Sequence, residues 1–139
     1  MLLLDTHVWI WSVEGDERRI GSRTRRLLAK GEAADALRVS AITLFEVSAL
    51  HTQGRLRLSR PLEQWIREAM EPAGVRLAEC SAAVAIDAGT IPRSALADPL
   101  DRVIVSTARQ LAATLLTADA QILEYAARRR DVRVHDASR

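Results

Sequence analysis

Cysteine is almost missing. Cys80 stands alone in 139 residues, so the chain has no internal disulfide and no cysteine-built metal site. The expected role of Cys80 is that of a small buried hydrophobe, and such cysteine usage fits a reducing, cytoplasmic setting. Aromatic residues make up only 4% of the chain, so Ala, Leu, Val and Ile must fill the core, as suits helices packed on a sheet. No run of about 18 apolar residues occurs, which excludes a membrane-spanning helix. The apolar start MLLLDTHVWIW is interrupted at Asp5 and has neither a basic leader nor a small-residue cleavage site, so it is not read as a secretory signal. There is no glycine-rich phosphate loop, repeat, linker or low-complexity tract. Lysine too is nearly absent, with Lys30 the only one.

What is present fits one domain spanning residues 1–139. Hydrophobic residues form 48% of it, enough for a core without staples. Net charge is +2, yet the isoelectric point is about 9.3. Arginine dominates the cations, clustered at Arg18, Arg19, Arg23, Arg25 and Arg26 and again at Arg128, Arg129 and Arg130. A guanidinium fork grips phosphate well, so these clusters admit a nucleic-acid surface; for each cluster taken alone, a solvated helix face is the simpler account.

Periodicity predicts strands at 2–4, 37–40, 75–78, 114–117 and 132–134, with a weaker one at 55–58. Helices are expected at 6–13, 20–30, 43–53, from Pro61 through Ala69, 81–88, 100–112 and 120–129. Gly31 and Gly89 are read as helix stops, and residues 91–97 as a loop. Strands alternating with helices argue for an α/β fold with a central parallel sheet covered on both faces. In such folds ligands sit beyond the carboxyl ends of the strands. Asp5 directly follows the first strand, and Asp119 follows TLLT by one residue.

Two further acids stand in LADPLDRVIV at 96–105. Asp98 before Pro99 is a complete helix cap, and Asp101 at the third helical position suits the helix dipole. Local capping explains both, but not the two acids at strand ends. Glu46 lies in ITLFEVSAL, on or beside an expected inward stripe of Ile42, Phe45, Ala49 and Leu50, with no Lys or Arg between Arg38 and Arg55. A half-buried carboxylate needs a partner, which a distant arginine or a cation would provide. Converging carboxylates repel, and a divalent cation reverses that repulsion. All-oxygen ligands suit Mg²⁺, with Mn²⁺ as the alternative. Such a site activates water for phosphodiester hydrolysis. Against this stands an unrelated α/β protein whose acids are only caps.

LLLDTHVWIW, SAITLFEVSAL, DPLDRVIVSTAR and TLLTADAQIL, in this order, resemble the PIN-domain ribonucleases, and among them the VapC-type toxins of bacterial toxin–antitoxin pairs. The resemblance covers almost the whole chain, including GRLRLSRPLEQWI at 54–66. It implies a PIN-like three-layer α/β/α sandwich and a Mg²⁺-dependent endoribonuclease leaving 3′-hydroxyl and 5′-phosphate ends, with tRNA or rRNA as targets. Matched residue by residue, Asp5, Glu46, Asp101 and Asp119 are its catalytic metal site, Asp5 and Asp101 as principal ligands. Asp98 is either a further ligand or the helix cap. Thr6 and Thr117 would hydrogen-bond a carboxylate or a coordinated water, unless they serve as cap and strand residues. Arg102 would steady the site, reach phosphate, or form a surface ion pair.

The resemblance also implies a homodimer and a small VapB-like antitoxin, whose C-terminal segment blocks the acidic pocket. An apolar groove including Trp9 and Trp11 would receive the antitoxin, unless those tryptophans are core. The chain departs from the pattern at Leu96, roughly where relatives carry a loop histidine. His7 is expected to pack or hydrogen-bond rather than ligate, and His51 and His135 lack ligand-like spacing. Alternatives are a PIN nuclease of housekeeping RNA processing and a non-catalytic RNA- or protein-binding PIN module.

Overall fold

The computed structural model describes all 139 residues. Five short strands form one parallel sheet: β1 (Leu2–Leu4), β2 (Leu37–Ser40), β3 (Val75–Ala78), β4 (Thr114–Thr117) and β5 (Arg133–Asp136), in the order β3-β2-β1-β4-β5. Successive strand residues point to opposite faces, so Leu4 joins one core and Leu3 the other. Each parallel connection carries helices: α1 (Thr6–Glu14) and α2 (Ser22–Ala33) lead to β2, α3 (Ala41–Thr52) and α4 (Leu62–Ala69) to β3, α5 (Ala82–Thr90) and α6 (Pro99–Leu111) to β4, and α7 (Ala120–Arg129) to β5.

One core gathers Leu4, Leu37, Val39 and Leu116 with Trp9 of α1, Val47 of α3 and Trp65 of α4. Trp9 and Trp65 meet edge to face, ring centroids 4.9 Å apart. The other core gathers Leu3 and Leu115 with Ile104 and Val105 of α6 and Ile122 and Tyr125 of α7. The result is the expected three-layer α/β/α sandwich. No helix is long and apolar enough to cross a membrane.

Several expectations are corrected. Helix α2 starts at Ser22 and runs through Gly31 rather than stopping there. Gly31 is a packing glycine: a Cβ would come within 2.5 Å of Leu37 Cδ2 and 3.0 Å of Leu2 Cδ1. Gly89 likewise lies inside α5, which ends one residue later. Residues 55–58 form no strand, and β5 begins and ends beyond the expected 132–134. Cys80 is exposed, because it follows β3 at the surface before α5 begins. Phe45 is 60% exposed and does not belong to the inward face of α3, which buries Thr43 and Val47 instead.

Candidate active site

The site forms where β1 lies between β2 and β4. Connections leave β1 in one direction toward β2, and β4 arrives on its other side, so this is the switch point of the sheet. Its residues come from strand ends and helix starts, and the local chemistry explains why each is held.

Asp5 ends β1 and caps α1. Its Oδ1 accepts the Thr6 N–H at 2.8 Å, and its Oδ2 accepts the Thr117 hydroxyl at 2.6 Å. Only 7% of Asp5 is exposed. Burial pushes its carboxyl above the ordinary range; the two hydrogen bonds oppose this, and Glu46 adds to it through its charge. Thr117, fully buried at the end of β4, also accepts the Asp119 N–H at 3.0 Å. One hydroxyl thus ties the acid after β1 to the acid after β4. Asp119 caps α7 through Oδ1, which accepts from Gln121 N at 2.8 Å and Ile122 N at 3.0 Å.

Asp98 is the cap of α6, accepting from Leu100 N at 2.9 Å, and Pro99 takes the first helical position. The capping role expected for Asp98 is therefore realised, although it also lies beside the other acids. Asp101 follows one turn in, half-buried. Its pKa is pushed up to about 8, first by burial and then by the charges of Asp98, Asp119, Asp5 and Glu46. This one carboxyl feels all four other acids, so the fold gathers acids lying up to 114 positions apart in sequence (Asp5 to Asp119). Glu46 is half-buried on α3 and forms no ion pair or side-chain hydrogen bond.

Thr6 is fully buried, its Oγ1 3.0 Å from Thr43 Oγ1. Thr43 was not expected; its signal is its place three residues before Glu46, on nearly the same helix face. Arg102 makes no ion pair. It donates to Ala97 O at 3.5 Å, and its Nε is buried without a partner, so the guanidinium keeps unspent donors on the residue that follows Asp101. Leu96, in place of the loop histidine, is a core residue only 2% exposed. His7 is exposed against Trp11, ring centroids 5.9 Å apart.

The helix starts add a fixed electrostatic element. Asp5, Asp98 and Asp119 are all N-caps, so α1, α6 and α7 present their positive ends to this region. Helix N-termini favour carboxylate and phosphate alike, and three of them moderate the mutual repulsion of the acids.

The donor set fits a hard divalent cation. It consists of carboxylates, without cysteine or a buried histidine, and Asp101 is penalised both by burial and by like charge, the two penalties a bound cation relieves. No three His, Cys, Asp or Glu side chains are drawn tightly enough to close on one ion as they stand. Several of the carboxylate oxygens are spent on capping N–H groups, yet each ionised carboxylate offers about four lone-pair sites, so capping and ligation are compatible.

The PIN-domain family model matches residues 2–128. The chain is 34% identical over 122 residues to Ribonuclease VapC22 of Mycobacterium tuberculosis, covering 87% of this chain and 88% of that protein. Among solved structures, DNA-bound VapBC from Salmonella typhimurium is similar at TM-score 0.66 and 20% identity, over 97% of this chain and 96% of that one. VapBC2 from Rickettsia felis, bound to a promoter DNA fragment, is similar at TM-score 0.67 and 17% identity, over 97% of each chain. These two structural likenesses speak to the fold.

Proposed function

The chain belongs to the PIN-domain family, among its VapC-type ribonucleases, and on that premise we propose that it is the endoribonuclease toxin of a toxin–antitoxin pair, with Asp5, Glu46, Asp101 and Asp119 as the residues that hold its cation. The single observation carrying the site assignment is the convergence of Asp98, Asp119, Asp5 and Glu46 around the half-buried Asp101, close enough for the charge of each to act on it. A carboxyl so placed is ill suited to a purely structural role, because capping α6 is already done by Asp98.

Mg²⁺ is the proposed cation and Mn²⁺ its substitute. When bound, it supplies a nucleophilic water at neutral pH and neutralises charge developing on the phosphate. The chain's own residues do the rest. Thr117 orients Asp5 and Asp119 together; Thr6 and Thr43 brace the start of α1 against α3. The starts of α1, α6 and α7 bias the region toward an anionic substrate, and Arg102 brings donors to it. Leu96 gives the loop before Asp98 an apolar anchor and no hydrogen-bonding group for RNA.

The partners are part of the same proposal. A groove of about 540 Å³ beside α1 and α2, lined by Trp11, Ile20 and Leu28, receives the antitoxin. Asp16, Glu17, Glu32 and Glu68 also line it, so a basic, partly apolar segment fits best. Trp9 touches it only from below, being fully buried in the core. Exposed Phe45 and Ile86 offer apolar surface to a second copy of the chain. An RNA substrate and an exposed unpaired thiol at Cys80 both point to the cytoplasm.

The test is sequencing of RNA ends after incubation with purified protein. The expected outcome is Mg²⁺-dependent cleavage leaving 3′-hydroxyl and 5′-phosphate ends, abolished by chelation and by Asp101→Asn. Cleavage that persists under both treatments overturns the assignment of the acids.

A further inference from the structure

We propose that the groove between α2 and β5 is a docking site for the backbone of single-stranded RNA, separate from the acidic pocket; the choice of RNA rests on the ribonuclease reading above. The groove is a cavity of about 450 Å³ lined by Arg23, Arg26, Leu27, Lys30 and His135. Three fixed cations face it and no acid does.

Arg18, Arg55, Arg57, Arg67, Arg93 and Arg130 are also unpaired; what sets Arg23, Arg26 and Lys30 apart is that all three are unpaired and line one cavity, whereas several other arginines are held within the fold. Arg19 pairs with Asp16 at 3.2 Å and lies over Trp11. Arg25 donates to the Ile20 carbonyl at 2.6 Å, tying α2 to the chain before it. Arg76, Arg109 and Arg128 are likewise paired with acids. Arg23, Arg26 and Lys30 enter no ion pair and no side-chain hydrogen bond. They lie three and four residues apart on one helix, a spacing at which like charges destabilise it. A local rule broken without an internal compensation is the mark of a site made for something outside the chain, and what three unpaired cations around a cavity accept is phosphate.

His135 builds the opposite wall. Its Nε2 lies 2.8 Å from Thr24 Oγ1, and that hydroxyl donates its one proton to the Arg139 carbonyl at 2.9 Å. Thr24 must therefore accept from His135, which places a proton on Nε2. His135 lines the groove, and an imidazole edge beside a phosphate track is a partner for a 2′-hydroxyl, the group that separates RNA from DNA.

The position is right for one strand to reach both places. His135 pairs in register with Leu116, the residue before Thr117, and β1 with Asp5 lies next beyond β4. Two strand spacings, about 10 Å, separate His135 from the β1 end of the acidic pocket.

The test uses the full chain silenced by Asp101→Asn, with a labelled single-stranded RNA titrated over a range of salt. Replacing Arg23, Arg26 and Lys30 together by alanine is expected to weaken binding at low salt at least tenfold. It should also make the dependence of log K on log salt shallower by about 2, the loss of three phosphate contacts to a single strand. Thermal melting should hold or rise slightly, because the substitution removes the like-charge repulsion along α2. Unaltered affinity and slope overturn the proposal. Duplex DNA bound as tightly as the RNA, with the same loss in the triple variant, overturns the choice of RNA. The unsilenced chain reads the other question: if it cleaves nothing with Mg²⁺, the ribonuclease assignment fails while the binding result stands.

Discussion

At the scale of single residues, Thr117 has the largest consequence for its size. Its hydroxyl donates to Asp5 Oδ2 at 2.6 Å and accepts from Asp119 N at 3.0 Å, inside a fully buried environment. Valine has nearly the same shape and lacks both bonds. Thr117→Val therefore leaves a buried carboxylate oxygen and a backbone N–H unpaired, at a cost of about 1–3 kcal/mol for such an orphaned group. Losing the group that orients a ligand carboxylate typically lowers metal affinity by about 10–100-fold. The expected outcome is a lower melting temperature and a higher Mg²⁺ requirement for cleavage, with Thr117→Ser restoring both. Wild-type behaviour of the valine variant in melting and Mg²⁺ titration speaks against the role. The acids themselves were legible in the sequence because strand ends and the Asp-Pro cap announce them. The bond between Thr117 and Asp5 was not, since it spans 112 positions and only the closed sheet creates it.

At the scale of elements, the strands show how much periodicity carries. β1, β2, β3 and β4 begin and end where the sequence pattern places them; β1, β2 and β4 are mostly buried, while β3, at the sheet edge, buries only its two ends, Val75 and Ala78. The glycines show where it stops. In sequence, Gly31 after Lys30 looks like a helix end, and a left-handed stop is the commonest reason for glycine there. In the structure, α2 lies so close to the sheet that the site has no room for a methyl group, a fact held by Leu37 and Leu2 rather than by α2. Phe45 fails for the related reason that α3 packs on both cores, Leu44 and Val47 against one and Ile42 against the other, and its fully buried residues are Thr43 and Val47. Gly31→Ala measures the close approach. Alanine improves helix propensity by about 1 kcal/mol, while overpacking a tight contact costs about 1–3 kcal/mol. The clash is with a Leu37 methyl, which can shift in part, so a net loss of about 1 kcal/mol is expected in chemical denaturation. A gain in stability would show that α2 moves away without penalty.

At the scale of the whole molecule, the strand order is what makes a site of scattered acids, and no local pattern encodes it. Placing β1 between β2 and β4 sets Asp5 beside Thr117 and turns the starts of α1, α6 and α7 toward one place. The gathering has a thermodynamic signature. Asp101 rises from an ordinary 3.8 to about 8 in the fold, so the native state favours its protonated form. The stability this contributes is complete below about pH 4 and is lost as pH climbs through 8. Asp136 works in the opposite sense, its carboxyl lowered by bonds from Ser138, but its effect is confined to pH below its ordinary 3.8. In chelator, melting temperature should therefore fall steadily from pH 4 to pH 8. Asp101→Asn should flatten most of this slope, and the part that remains belongs to Asp5, whose carboxyl burial also raises. At pH 8 the wild type carries several uncompensated carboxylates, and a cation bound only by the native state stabilises it by about 2.7 kcal/mol at a hundredfold excess over its dissociation constant. Mg²⁺ should raise the melting temperature of the wild type at pH 8, and much less at pH 5, where protons compete for the same carboxyl. Equal Mg²⁺ shifts at both pH values, or a wild-type slope that Asp101→Asn leaves in place, would mean that these acids share an end of the sheet without sharing a charge.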